Sequence, residues 1–193
     1  MNTTAVRFLG WVALGMLILP MSAKAQEPKA PPLTSRAQEL NQRNSVPKGF
    51  KTEIIAATPE DRKRAEKLIK IYEILAAGPS IDEIRKYVAD DYVQHSPLLP
   101  DGPEGLVAFF SATKVEYPLE IDVHKVMVVG DWAVAHVNFR NMITKAPNDL
   151  GMAAVDIYTF GPDGKLTEHW DAVQGIPTHS VNPHGMLVRV RKD

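Results

Sequence analysis

The run Gly151-Met-Ala-Ala-Val-Asp-Ile-Tyr-Thr-Phe160, the turn Gly161-Pro-Asp-Gly164 and the run Lys165-Leu-Thr-Glu-His-Trp-Asp-Ala-Val173 decide the fold. Two stretches rich in β-branched and aromatic residues, separated by Gly, Pro and Asp, are a hairpin signal. Just upstream, Leu119 to Val129 and Trp132 to Ile143 meet in the same way at Gly130-Asp131. An antiparallel meander is therefore expected from Pro118 onward. The tail from Gly175 carries Pro177, Pro183 and Gly185, and then a last strand over Met186–Val190.

Further upstream the period lengthens. Thr58-Pro59 is an N-cap followed by proline at the first helical position, with Glu60 and Asp61 in the first turn. Ala65, Leu68, Ile69, Tyr72, Leu75 and Ala76 then share one helix face, and Gly78-Pro79 ends the run. Ser80 and Glu83 predict a capping box and a second helix to about Val88. Tyr92 to His95 reads as a short extended piece ended by Pro97. Gly102-Pro-Glu104 opens a third helix that carries Leu106, Phe109 and Phe110. Helices first and hairpins after them predict an α+β domain with the helices on one face of a curved sheet.

Residues 1–25 have a different layout. Arg7 precedes an apolar run from Phe8 to Leu19, Pro20 breaks it, and Ser22-Ala23-Lys24-Ala25 offers small residues for cleavage before Gln26. This is a secretory signal peptide pattern, and a run of about a dozen apolar residues is too short for a roughly 30 Å hydrocarbon core. Export to the periplasm or beyond is expected, with no membrane association after cleavage. Residues 26–57, with Pro28, Pro31, Pro32 and Pro47, read as a tether, and 58–193 as the single domain.

The 193 residues include 22 Lys+Arg, 23 Asp+Glu and no cysteine. Disulfides, Cys-ligated metals and thiol nucleophiles are excluded. Near-neutral charge offers no electrostatic case for nucleic acid. There is no G-x-G-x-x-G, P-loop, H-E-x-x-H or G-x-S-x-G pattern. Chemistry is thereby left to carboxylates and imidazoles.

Alternation along the strands places these groups. Ala154, Asp156, Tyr158 and Phe160 share a face, as do Thr167, His169, Asp171 and Val173, and as do Trp132, Val134, His136, Asn138 and Arg140. Asp156 interrupts an apolar run, so its carboxyl must be partnered or neutral, either as a structural hydrogen-bonding group or as a functional one. His169 and Asp171, two residues apart, can point into one cavity. His95 precedes Ser96-Pro97, while His124, His179 and His184 lie among turn or edge signals and read as surface residues. No ligand spacing supports a metal site built from His95, His136 and His169.

Four segments carry a family likeness: Tyr92-Val-Gln-His-Ser-Pro97 with Pro100-Asp-Gly-Pro-Glu-Gly-Leu-Val-Ala-Phe-Phe110, Val155-Asp-Ile-Tyr158, Asp163-Gly-Lys-Leu-Thr-Glu-His-Trp-Asp171 and Asn182-Pro-His-Gly-Met186. Together they resemble the SnoaL-like polyketide cyclases of the nuclear-transport-factor-2-like superfamily. The resemblance implies a cone-shaped α+β barrel, with N-terminal helices packed against a strongly curved, mainly antiparallel sheet around an apolar pocket. It implies an aldol cyclase or related lyase or isomerase, acting on a small, hydrophobic, enolisable carbonyl compound with no metal and no cofactor. Asp171 then matches the acid/base, His169 and His95 its partners, and Asp156 a donor to the enolate oxygen. Gln94, Trp132, His136, Tyr158 and Val173 would meet the ligand. Ser96 falls where isomerases of the superfamily place their general-base aspartate, which disfavours that mechanism and leaves Gln94 or His95 to supply a donor or base. A homodimer is implied as well. A noncatalytic periplasmic binder of a small hydrophobic ligand and a dimerisation module are the alternatives.

Overall fold

In the computed structural model, which describes residues 50–111, 118–143, 149–182 and 184–188, Thr58 caps the first helix, α1 (Pro59–Ala77). Its hydroxyl accepts the Asp61 N–H at 3.0 Å, and Asp61 Oδ2 accepts the Thr58 N–H at 3.2 Å. Asp61 Oδ1 also accepts from Gly130 N at 3.1 Å, which ties the helix start to a sheet turn. The buried face of α1 is Ala65, Leu68, Ile71, Tyr72, Ile74 and Leu75. It is rotated from the expected one, since Ile71 and Ile74 are buried and Ile69 and Ala76 only partly so. Each large aliphatic side chain buried there contributes about 1.5–3 kcal/mol.

The second helix, α2 (Ile81–Ile84), is shorter than expected: Val88, read as its end, begins the strand β2 (Val88–Gln94). Ser80 caps α2 through Glu83 N as predicted. The third helix, α3 (Gly102–Ser111), buries Leu106 and Phe110. Another strand, β1 (Glu53–Ala56), lies inside the stretch read as tether, so that reading is corrected for its last residues. Residues 1–49, which hold the expected signal peptide and most of the tether, lie outside the described residues.

The meander is β3 (Glu120–Val129), β4 (Trp132–Arg140), β5 (Met152–Phe160) and β6 (Leu166–Gly175), antiparallel throughout. The strand order is β1-β3-β4-β5-β6-β2, with β1 parallel to β3 and β2 parallel to β6 at the two edges of an open sheet. These parallel edges are absent from the sequence expectation, because pairing through a long crossover leaves no turn signal between the partners. Strand β4 stops at Arg140, short of Ile143, where Asn141 takes φ 61°. Residues 186–188, the described part of the expected last strand, form bends, and Leu187 packs on Ala153 and Ile176.

The register sets the inner face: Ala135 pairs with Asp156 and Asp156 with Asp171, while Ala133 pairs with Tyr158 and Tyr158 with His169. Small residues on β4 leave room beside the polar groups of β5 and β6. At the start of β5, Gly151 has φ 88°, and a Cβ there would lie 2.1 Å from Asn138 Oδ1 and 2.8 Å from Phe139 O. Gly151→Ala should therefore destabilise the domain by roughly 2 kcal/mol or more, read as a lower urea midpoint at unchanged slope.

Candidate active site

Helices α1 and α3 and the inner faces of β2, β5 and β6 surround a cavity with an empty volume of ≈ 600 Å³, part of it open to solvent. Most of its wall is apolar, including Ile71, Leu75, Leu106, Phe109, Phe110 and Leu166. Against this background stand Tyr72, Tyr92, Gln94, Asp156, Tyr158, His169 and Asp171.

Asp156 is 2% exposed, and its Oδ2 accepts from the Tyr72 hydroxyl at 2.5 Å. The Tyr158 hydroxyl lies 3.0 Å from that of Tyr72. The Tyr72 hydroxyl donates to Asp156, so Tyr158 donates to Tyr72 and both phenols are committed to the carboxyl. Burial, and then the charge of Asp156, pushes Tyr72 and Tyr158 well above the ordinary tyrosine range. Burial raises Tyr92 as well. All three shifts favour the protonated phenol.

His169, 7% exposed, stacks on Tyr158 at 4.6 Å between ring centroids. Its Nδ1 lies 2.8 Å from Gln94 Oε1 and its Nε2 3.8 Å from Asp156 Oδ1. Asp171, half-buried on the next inward position of β6, completes a group whose ligand atoms all lie within 4.8 Å of one another. Three such groups could gather around a divalent cation as readily as around a proton. His169 Nε2 and Gln94 Nε2 are buried and form no hydrogen bond, although the Tyr92 hydroxyl lies beside Gln94 outside normal hydrogen-bond geometry.

Of the residues singled out in the sequence, Asp156, His169, Asp171, Gln94, Tyr158 and Val173 line the cavity. His95, Trp132 and His136 do not, which corrects their expected places at the ligand. Alternation along β2 turns Gln94 inward and His95 outward, where His95 stacks on Trp170 at 4.4 Å and pairs with Glu168 at 3.2 Å. Trp132 is 51% exposed on the outer face and stacks on Trp170. His136 lies on that face too, its Nδ1 3.5 Å from Lys125 Nζ. His124, read as a surface residue, is buried.

The sequence reading missed Tyr72, which it placed in the core. The available signal was its hydroxyl, since a tyrosine on the buried face of a helix must find a polar partner. Tyr92 was missed for the same reason.

A family model described as a SnoaL-like domain matches residues 68–169. Among solved structures, the chain is similar to a candidate polyketide cyclase from Bacillus cereus ATCC 10987. The two share 20% identity over 67% of this chain and 90% of that one, with a TM-score of 0.53. A candidate SnoaL-like polyketide cyclase from Jannaschia sp. CCS1 matches at 18% identity over 60% and 88% of the two chains, with a TM-score of 0.47. A steroid delta-isomerase from Pseudomonas aeruginosa matches at 16% over 61% and 84%, with a TM-score of 0.44. The first of these likenesses is one of fold, the α+β fold in which helices cover a mainly antiparallel sheet. No curated protein matches the chain significantly.

Proposed function

Because the chain belongs to the SnoaL-like domain family, we propose that it is a cofactor-independent lyase- or isomerase-type enzyme acting on a small, apolar carbonyl compound that can enolise. The observation that carries this is the convergence of Asp156, His169 and Asp171 within 4.8 Å on the wall of a largely apolar cavity. Enolisation moves one proton from carbon and leaves charge on oxygen. Here an imidazole flanked by two carboxylates takes and returns the proton, in a cavity whose wall is largely apolar. The Gln94 amide, whose nitrogen lies beside the Tyr92 hydroxyl, supplies a hydrogen bond to the oxygen. Asp156 accepts from Tyr72 and so acts here as an acceptor that steadies the protonated imidazole, in place of the donor role implied by the resemblance. Aldol ring closure needs the same two services, proton transfer and enolate stabilisation.

The test is deuterium uptake at the α-carbon of β-tetralone, an apolar bicyclic ketone, followed by proton NMR in heavy water. Exchange well above the buffer rate is expected. Binding of β-tetralone with no exchange would favour the noncatalytic binder, the reading supported by the largely apolar wall.

The outer sheet face exposes Met127, Val129, Trp132 and Val155, an apolar surface suited to a second copy of the chain. Trp132→Glu should shift the protein from dimer to monomer in sedimentation velocity, and a wild type that is monomeric at all concentrations would refute the dimer. Export is supported by the signal-like residues 1–25, and sequencing the secreted or periplasmic protein should find Gln26 at its start.

A further inference from the structure

Two contacts of one amide oxygen fix which nitrogen of His169 carries its proton. Gln94 Oε1 accepts the Ser96 backbone N–H at 2.9 Å. A main-chain amide only donates, so the side-chain oxygen, and not the nitrogen, must face this corner. The same oxygen lies 2.8 Å from His169 Nδ1. An amide oxygen cannot donate either, so the proton between them sits on Nδ1. A neutral imidazole has one N–H, and Nε2 is left with its lone pair.

That lone pair is in unusual company. Nε2 is buried without a hydrogen-bond partner, 3.8 Å from Asp156 Oδ1, and a ring nitrogen of the same imidazole lies within 4.8 Å of an Asp171 carboxylate oxygen. Three acceptor groups thus face one another across a small space, and Oδ2 of Asp156 is already taken by Tyr72. Among the described residues no donor is hydrogen-bonded to Nε2. A substrate can supply one.

We propose that Gln94 is a positioning residue that holds His169 as its Nδ1–H tautomer, so that Nε2 is the atom that takes the proton from the substrate's α-carbon. This rests on the enzymatic reading of the site and assigns its base. The α-carbon–hydrogen bond breaks, and its electron pair becomes the carbon–carbon π bond of the enolate. The carbonyl π pair moves to oxygen, and the proton forms an N–H bond at Nε2. The imidazolium keeps its Nδ1–H bond to Gln94 and faces Asp156 and Asp171 with its new proton. Protonation at carbon reverses each step. Asp171, assigned as acid/base from the family likeness, then serves as a counter-charge.

The tautomer is read directly from imidazole nitrogen–proton correlation spectra of the nitrogen-15-labelled full chain in mildly alkaline buffer, with the His169 signals identified by their loss in His169→Gln. Nδ1–H is expected in the wild type and in Gln94→Glu, whose carboxylate still accepts from both donors. In Gln94→Leu the Nε2–H form should dominate, because Asp156 is then the remaining acceptor. A wild type in the Nε2–H form, or a Gln94→Leu variant that keeps Nδ1–H, would overturn the proposal. Exchange of β-tetralone should fall about 10–100-fold in Gln94→Leu and recover in Gln94→Glu. Equal rates in all three proteins would refute the positioning role. Exchange absent from every protein would instead refute the enzymatic reading and the proton-transfer half, while the spectra would still judge the Gln94 half separately.

Discussion

Replacing His169 by glutamine should lower the exchange of β-tetralone by about 10²–10⁴-fold, the range that a positioned general base contributes. That corresponds to about 3–5.5 kcal/mol of barrier. Glutamine fills a similar space and retains a side chain able to donate to Gln94 Oε1, so the fold is expected to persist. The lost group is the lone pair at Nε2, 3.8 Å from Asp156 Oδ1 and without a partner of its own. Asp171→Asn should cost less, because it removes a charge beside the imidazole and leaves the proton acceptor in place. The order of the two effects is the informative result. If Asp171→Asn abolished exchange and His169→Gln barely changed it, Asp171 would be the base, as the family likeness alone implied. Tyr72→Phe addresses a different link, because it removes the short hydrogen bond to Asp156 while keeping the ring in the core.

How much of this could be read beforehand depends on the range of each interaction. The meander was legible because each hairpin is announced by its own turn, as at Gly130-Asp131 and across 161–164. Period-two alternation then put Asp156 with Tyr158 and His169 with Asp171, and the observed register of β5 against β6 brings those pairs together. The parallel placement of β2 beside β6 was not legible. Residues 94 and 169 become neighbours through a long crossover, and no local spacing encodes it. Gln94 therefore looked like one candidate among several, although its oxygen decides the chemistry of His169. His95 shows the converse failure: alternation continued past β2 turns it away from the cavity, whereas Tyr92 to His95 reads in the sequence only as a short extended piece. His124 has a third cause. A bulge between Val123 and Lys125 breaks the alternation of β3 at His124, so that Val123 and His124 are both buried, and the bulge has no sequence signature here.

His124 leads to the second large effect, on stability against pH. Its ring is 2% exposed, packs 4.9 Å from Phe50 and 6.3 Å from His136, and neither ring nitrogen has a hydrogen-bond partner. Burial, and then the positive fields of His136, Lys125 and Arg140, lower its pKa to about 4. Lys51 and Glu53 face it from the chain around β1, and Lys125 is held by the Leu187 carbonyl at 3.0 Å. An unfolded chain protonates this histidine near its ordinary value of about 6.5, whereas the folded chain waits until about 4. Between these values the unfolded state binds the extra proton. The stability contributed by the neutral ring is thus fully present above pH about 6.5 and is lost as pH falls toward 4. One such group changes stability by up to about 1.4 kcal/mol per pH unit, less where solvent screens it, so about 1–2 kcal/mol should disappear between pH 7 and pH 5. His136, whose pKa is lowered by burial and then by Lys125, adds to the loss with the same sign. Urea titrations at the two pH values measure the total, and His124→Phe isolates the contribution. Phenylalanine keeps the contact with Phe50 and removes two unsatisfied nitrogens, so the variant should be at least as stable at pH 7 and lose less on acidification. An unchanged pH difference would mean that His124 is protonated without strain in the folded chain, and the acid sensitivity would then have to come from other groups, His136 among them.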